Sequence, residues 1–375
     1  MFPGLFESDS ETLEQENTAI VGRYSYGFAG TSSVGALLTA RDGDDYRNVV
    51  VGIDGRWKIN DQHRIEFQHL QTETEYPDAV AIEFEQPLDT FSGEGSLLSY
   101  SYGSRNWFGG ADYENYSSGF RADSGFVSQV GGEGYRARFG RLWHGTDKNW
   151  WNRIRASVHA DRKVAEDGRE LEEEKTVRLG FGGVLQTWFQ FAYEESTELW
   201  EGVDYDQKEG RVYFEITPTR GVYLSMLGTY GDKIDYSNNQ LGKATRIEPF
   251  VIWNITQKLL LRLKGVSSKL DTPDGDMIFD ATVLDARLTW QFSLRSFLRL
   301  TVQNTDVKRN QAEYIEEIDE QSQDLGLQLL YSYKINPQTV FFLGYSDQYL
   351  DDDSVDDLTV TDRTWFMKVG YAWAP

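Results

Sequence analysis

The sequence predicts an all-β fold: a transmembrane antiparallel up-and-down β-barrel with about 18–20 strands in this chain, standing alone or forming part of a larger barrel. Three observations predict it. Segments of roughly ten residues recur from end to end in which apolar or aromatic side chains alternate with polar, charged or glycine ones, the period of a strand with two unlike faces. The connections between them alternate short and long, as in a meander with short turns on one side of a membrane and longer loops on the other. The 11 tryptophans fall mostly near segment ends, where an amphipathic ring favours the headgroup level.

The first element, residues 1–16, is an acidic segment, MFPGLFESDSETLEQE. It has no basic start, no apolar run and no small-residue cleavage site, so it does not read as a signal peptide. Residues 17–375 read as the barrel. Its alternation is clearest at Trp365, Met367, Val369, Tyr371 and Trp373, set against Phe366, Lys368, Gly370 and Ala372. Leu325, Leu327, Leu329, Tyr331 and Tyr333 repeat it, as do Leu284, Ala286, Leu288, Trp290 and Phe292 against Asp285, Arg287, Thr289 and Gln291. Ile154, Ala156, Val158 and Ala160 stand against Arg153, Arg155, Ser157, His159 and Asp161. A helix would mix these sets. About nineteen such segments follow one another, one per roughly 20 residues.

Tight turns are expected at Ile59-Asn60-Asp61-Gln62, Leu185-Gln186-Thr187, Thr217-Pro218-Thr219-Arg220, Asn254-Ile255-Thr256-Gln257, Ser293-Leu294-Arg295-Ser296 and Ile335-Asn336-Pro337-Gln338. These are the expected periplasmic turns. Long extracellular loops are expected near residues 75–93, 117–131, 164–173, 197–208, 231–243, 269–280, 305–322 and 349–361. Nineteen is an odd number, and an open sheet edge does not persist in lipid. Either a further strand hides at residues 79–87, or another chain or a missing N-terminal segment completes the wall; the lack of a signal peptide favours the second.

Composition narrows the function. Of 375 residues, 37 are Lys or Arg and 60 are Asp or Glu, for a formal charge of −23, which excludes general nucleic-acid binding. Cysteine is absent and only four histidines occur, which removes disulfide frameworks, thiolate chemistry and Cys-ligated metals. Aromatics reach 14%, too many for disorder. The mean hydropathy of −0.54 would suit a soluble protein, but a barrel gives only alternate strand residues to lipid.

The charged candidates follow from the alternation. Asp54, Arg56, Lys58, Arg136, Arg138, Arg153, Arg155, Arg178, Arg262, Lys264, Asp285, Arg287, Arg299 and Lys368 fall on the polar side of their segments, and Glu66, Asp161 and Glu215 share that side. They are expected to face the lumen, because a charge on the lipid face costs about 2–4 kcal/mol at midplane. They read either as ion pairs that brace and hydrate the wall or as a lining selective for anionic or zwitterionic solutes. In the acidic loops, Asp351, Asp352, Asp353, Asp356 and Asp357 are candidates for Ca²⁺, a cation that takes 6–8 oxygen ligands, though no EF-hand spacing is present. Solvated loops are the simpler reading, and no other cofactor is expected. His63, His69, His144 and His159 lack partner spacing, Ser157 and His159 read as a lumen hydrogen bond, and no G-x-S-x-G occurs. No catalysis is expected.

Several stretches give a family likeness: Asn17-Thr18-Ala19-Ile20-Val21-Gly22-Arg23; Gly110-Ala111-Asp112-Tyr113-Glu114 through Phe120-Arg121-Ala122-Asp123 to Gly125-Phe126; Ser332 to Thr339 with Gly344-Tyr345-Ser346-Asp347; and Asp362-Arg363-Thr364 with Lys368-Val369-Gly370-Tyr371. With these the chain resembles the C-terminal barrel region of an uncharacterised bacterial family in which a family-9-carbohydrate-binding-like domain precedes an outer-membrane barrel. The resemblance implies a porin-like wall in a Gram-negative outer membrane, with lipid and lipopolysaccharide around it, and carries no site residues. The expected function is therefore a channel or the wall of a transport or export assembly. Alternatives are a barrel sheathing a secreted or electron-carrying protein partner, and a soluble secreted carbohydrate-binding or carbohydrate-active β-protein.

Overall fold

A computed structural model describes residues 2–3, 8–9, 15–336, 339–354 and 357–371. Two short strands, β1 (Phe2–Pro3) and β2 (Ser8–Asp9), pair with each other. Nineteen long strands follow: β3 (Asn17–Phe28), β4 (Ser32–Gly43), β5 (Tyr46–Lys58), β6 (His63–Glu75), β7 (Phe91–Gly103), β8 (Trp107–Tyr116), β9 (Gly132–His144), β10 (Trp151–Ala165), β11 (Glu170–Gly183), β12 (Trp188–Trp200), β13 (Val203–Thr219), β14 (Val222–Asp235), β15 (Gln240–Asn254), β16 (Leu259–Asp271), β17 (Met277–Ser293), β18 (Ser296–Arg309), β19 (Gln321–Asn336), β20 (Thr339–Asp351) and β21 (Thr359–Tyr371). The fold is all-β, antiparallel and up-and-down, as the alternation predicts.

The chain divides into two compact units. The first comprises residues 1–143, 155–177 and 196–204, and the second 144–154, 178–195 and 205–375. In the first, β3 to β9 form a meander in which each strand pairs antiparallel with the next. In the second, β13 to β21 do the same.

Register sorts the side chains of each ladder onto two faces, because residues directly opposite one another share a face. In the first unit, Val51 and Ile53 oppose Leu38 and Ala36 on one face, and Asp54 and Arg56 oppose Gly35 and Ser33 on the other. In the second unit, Leu288 opposes Leu261 and Leu300, while Arg287 opposes Arg262 and Thr301. Ile53, Val177, Leu284, Leu300 and Met367 are all substantially exposed. The apolar face ends in aromatic residues. On β9 these are Trp143 and Tyr135, eight positions and therefore roughly 26 Å apart along the strand, or about 20 Å in height at a 40° tilt.

Three expectations are corrected. Residues 79–87 are not a strand; Asp78–Glu83 form a short helix, α1, after Pro77. Proline at the entry supplies a helix-compatible φ, and Asp78 suits the positive end of the first turn. Second, the loops expected at 164–173, 197–208, 231–243 and 269–280 are mostly strand, leaving connections only at residues 166–169, 201–202, 236–239 and 272–276. Third, the turn placed at Thr217 to Arg220 lies at Arg220-Gly221, with Gly221 at φ +86°. Strand β13 runs on to Thr219 through a register shift between Ile216 and Thr219, where Pro218 needs no ladder partner. Pro337 and Gln338 of the last expected turn, and Ala372 and Trp373 of the last strand, lie outside the described residues.

Candidate functional site

Buried apolar side chains are few, and a cluster of them marks where the connections of the first unit fold onto its polar face. Tyr46, Tyr76 and Ala81 form it, with Val80, Phe84 and Phe91 packed alongside. Helix α1 thus lays its apolar side against the ends of β5, β6 and β7. The 117–131 connection comes down beside it. Phe120 is fully buried, and its ring packs 5.1 Å from that of Tyr116. Gly93 on β7 and Gly119 on the loop permit this approach: a Cβ on Gly93 would collide with the Phe120 backbone, and one on Gly119 with the Ser92 carbonyl.

A polar network locks the loop in place. The Asn48 side chain donates to Thr74 Oγ1 at 2.9 Å and to the Arg121 carbonyl at 3.0 Å, while accepting from the Asp123 N–H at 3.1 Å. Asp123 accepts from the hydroxyls of Tyr46 at 2.8 Å and Tyr76 at 3.1 Å. Arg121 donates to Gln86 Oε1 at 2.6 Å and to the carbonyls of Ser118 and Phe120. Burial and the Asp123 carboxylate together push the Tyr76 hydroxyl well above the usual phenol range; burial holds Arg121 below its ordinary value. Asn48, Thr74, Arg121 and Asp123 were not identified as site residues from sequence. The signal for them was present: Gly93 and Gly95 follow one another on the face that meets the quoted Phe120-Arg121-Ala122-Asp123.

The charged candidates behave differently in the two units. In the first, Asp54 pairs with Arg23 at 2.8 Å, Arg56 with Glu66 at 2.7 Å and Arg136 with Asp161 at 2.6 Å. Lys58 pairs with Asp61 in the adjoining turn at 2.7 Å and holds that carboxyl below its usual value. Arg138 lies against Gly110, and Arg155 over the Phe108 ring at 4.3 Å. A cavity of about 270 Å³ is lined by Asp112, Glu114, Arg136, Asp161, Lys163 and Glu172, among others. Ser157 Oγ lies 3.2 Å from His159 Nε2.

In the second unit Arg153 stacks on Trp188 at 4.9 Å, and Arg178 is half-buried between the exposed Val177 and Leu179. Arg262 and Arg287 are direct cross-strand partners. Arg299 sits one diagonal step from Arg287 on the next strand, opposite Thr289, and lies 5.0 Å over the Phe297 ring. Lys264 opposes Asp285, which accepts from Gln303 at 3.0 Å. Lys368 opposes Phe342.

Among the acidic loop candidates, Asp352 accepts from the Ser354 N–H at 2.9 Å and is held below its usual value by Ser354. Asp353 accepts from the Glu320 N–H at 2.7 Å. Asp351 ends β20, Asp357 is exposed, and Asp356 lies outside the described residues. Among the described residues no three carboxylates or imidazoles converge as metal ligands would.

A charged pair on the apolar-face register was missed in the sequence. Asp347 opposes Leu327 and Arg363, and its carboxylate is almost fully covered. It accepts from Arg363 Nε at 2.7 Å and Tyr349 OH at 3.2 Å, with the Tyr345 hydroxyl also donating. Every oxygen is thereby engaged, which is how a charge persists on such a face.

No family model matches the chain, and no curated protein does. Solved structures of outer-membrane proteins do resemble it. The alcaligin outer-membrane receptor FauA from Bordetella pertussis is similar at 8% identity over 94% of this chain and 74% of that one, with a TM-score of 0.46. The copper transporter OprC is similar at 9% over 98% and 82%, TM-score 0.44. OmpF from Salmonella typhi is similar at 12% over 88% and 96%, TM-score 0.34. The exposed apolar face, bounded by aromatic residues, belongs against lipid, and lipid is spanned by strands only in proteins of the outer-membrane barrel class.

Proposed function

We propose that this outer-membrane protein forms the wall of a transport channel, with its polar face lining an aqueous path. The observation that supports this reading is the contrast between the faces of each strand. One carries exposed Leu, Val and aromatic side chains, and the other carries charge and hydroxyls down much of its length. An apolar filled interior would leave no use for the second face. The Arg23–Asp54, Arg56–Glu66 and Arg136–Asp161 pairs keep that face hydrated without a large net charge, and the 117–131 loop with α1 narrows the path beside β5 to β7.

The finer kinship belongs to the same proposal: the chain is the barrel region of a protein of the carbohydrate-binding-like and barrel type, supported by the stretches around Asn17, Gly110 and Ser332. A further segment or chain that completes the wall belongs to the same proposal. The test is electrical. Purified chain reconstituted into planar bilayers is expected to give stepwise, ohmic conductance in KCl. Bilayers that stay silent with protein of verified heat-modifiable gel mobility would refute the channel.

A further inference from the structure

Three arginines, one on each of the successive strands β16 to β18, lie next to one another on the polar face. Among the described residues, Arg262, Arg287 and Arg299 make no ion pair, whereas their counterparts Arg23, Arg56 and Arg136 all do. The Nε atoms of Arg287 and Arg299 are buried without a hydrogen-bond partner. The nearest carboxylate along the strand, Asp285, faces Lys264 and Gln303 instead. Like charges directly opposite one another destabilise a sheet, and Arg262 opposite Arg287 is that arrangement. Thr289 and Thr301, opposite Arg299 and Arg287, add hydroxyl donors between the guanidinium groups, and Phe297 gives Arg299 a flat support.

We propose that Arg262, Arg287 and Arg299 form a binding site for a compact polyanion carrying two or more phosphate or carboxylate groups. Guanidinium forks match the two-oxygen edge of either group. The arginines occupy three successive strands, so the outer two are separated by about 10 Å of sheet at roughly 4.8 Å per strand. A single phosphate engages one or two forks, whereas a ligand with two or more anionic groups reaches all three and removes the repulsion between them. This rests on the reading of the polar face as a solute path.

The experiment is calorimetric titration of the full chain in detergent at 0.15 M salt with tripolyphosphate and, separately, with citrate. Saturable binding of at least one is expected, and whichever binds more tightly identifies the group preferred. Arg287→Gln is expected to weaken it roughly 10- to 100-fold. Arg47→Gln, the same charge change at an exposed site paired with Glu73, leaves it unchanged. Should a glutamine variant not fold, Arg287→Lys keeps the charge and loses the fork, and is expected to weaken binding several-fold. No saturable binding of either anion, or equal losses in Arg287→Gln and Arg47→Gln, overturns the site. Bilayer recordings separate the two proposals: current without block by the anion removes the site alone, while binding in detergent without current removes the channel and keeps the site.

Discussion

Leu329→Arg tests which face of the second unit meets lipid. Leu329 lies midway along β19, opposite Leu300 and Tyr345, and is 41% exposed. Its neighbour Gln328 faces the other way, opposite Thr301 and Ser346. An arginine at Leu329 places a charge near mid-height of the apolar face, at a cost of about 2–4 kcal/mol. That is roughly a 30- to 700-fold loss in the folded-to-unfolded ratio. Gln328→Arg adds the same side chain on the polar face, two strands or about 10 Å from Arg287, where salt screens the new charge; it is expected to cost under about 1 kcal/mol. Leu327→Arg is a poorer probe, since Leu327 opposes Asp347, which can accept the guanidinium. The assay is urea unfolding in lipid vesicles, followed by tryptophan fluorescence. Coincident midpoints for Leu329→Arg and Gln328→Arg would refute the facing of β19 and, with it, the lipid boundary of the unit.

Arg363→Leu strands the Asp347 carboxylate with only tyrosine partners. Arg363 is 54% exposed, so the usual cost of breaking a covered pair is reduced to about 1–3 kcal/mol, and adding Asp347→Leu is expected to recover most of it in the same assay. Phe120→Ala empties a fully buried position, a change worth about 3–5 kcal/mol in a packed core, and should free the 117–131 loop to limited proteolysis while the strands keep their heat-modifiable mobility. The Tyr76 hydroxyl is raised above its ordinary 10.0, so the unfolded loop releases that proton first as pH rises. Its contribution is full below pH 10 and declines above it; proteolysis of the loop should accelerate there in the wild type, and Tyr76→Phe should flatten that part of the profile.

Strand positions were legible wherever one face meets lipid. Strands β6 and β18 begin at His63 and Ser296, where the turns read from the sequence end, because hydrophobic alternation resumes there. Alternation fails beyond the apolar band: Glu170, Glu172 and Glu173, or Asp204 and Asp206 to Lys208, put polar groups on both faces and read as loops, yet they continue β11 and β13. At residues 79–84 the run Ala-Val-Ala-Ile-Glu-Phe suits strand or helix, and packing of Ala81 against Tyr46 and Tyr76 decides for helix. The polar-face register of Arg56, Arg136 and Arg287 was readable from period alone. Which of them are neutralised was not, because their partners lie across the sheet: Arg136 meets Asp161, 25 positions away, while Arg287 meets another arginine. The Asp347–Arg363 pair escaped for the same reason, since alternation alone assigns no charge to that face.

The meeting of Gly93 with Gly119 also bears on how this molecule can change over generations. Wall and loop touch there through bare backbone, so no side chain can be added at either position without lifting the loop away. The usual freedom of a surface connection to lengthen, shorten or drift is therefore lost between Ser117 and Asp123. A variant with a different constriction would be reached by replacing loop and strand together, as a cassette.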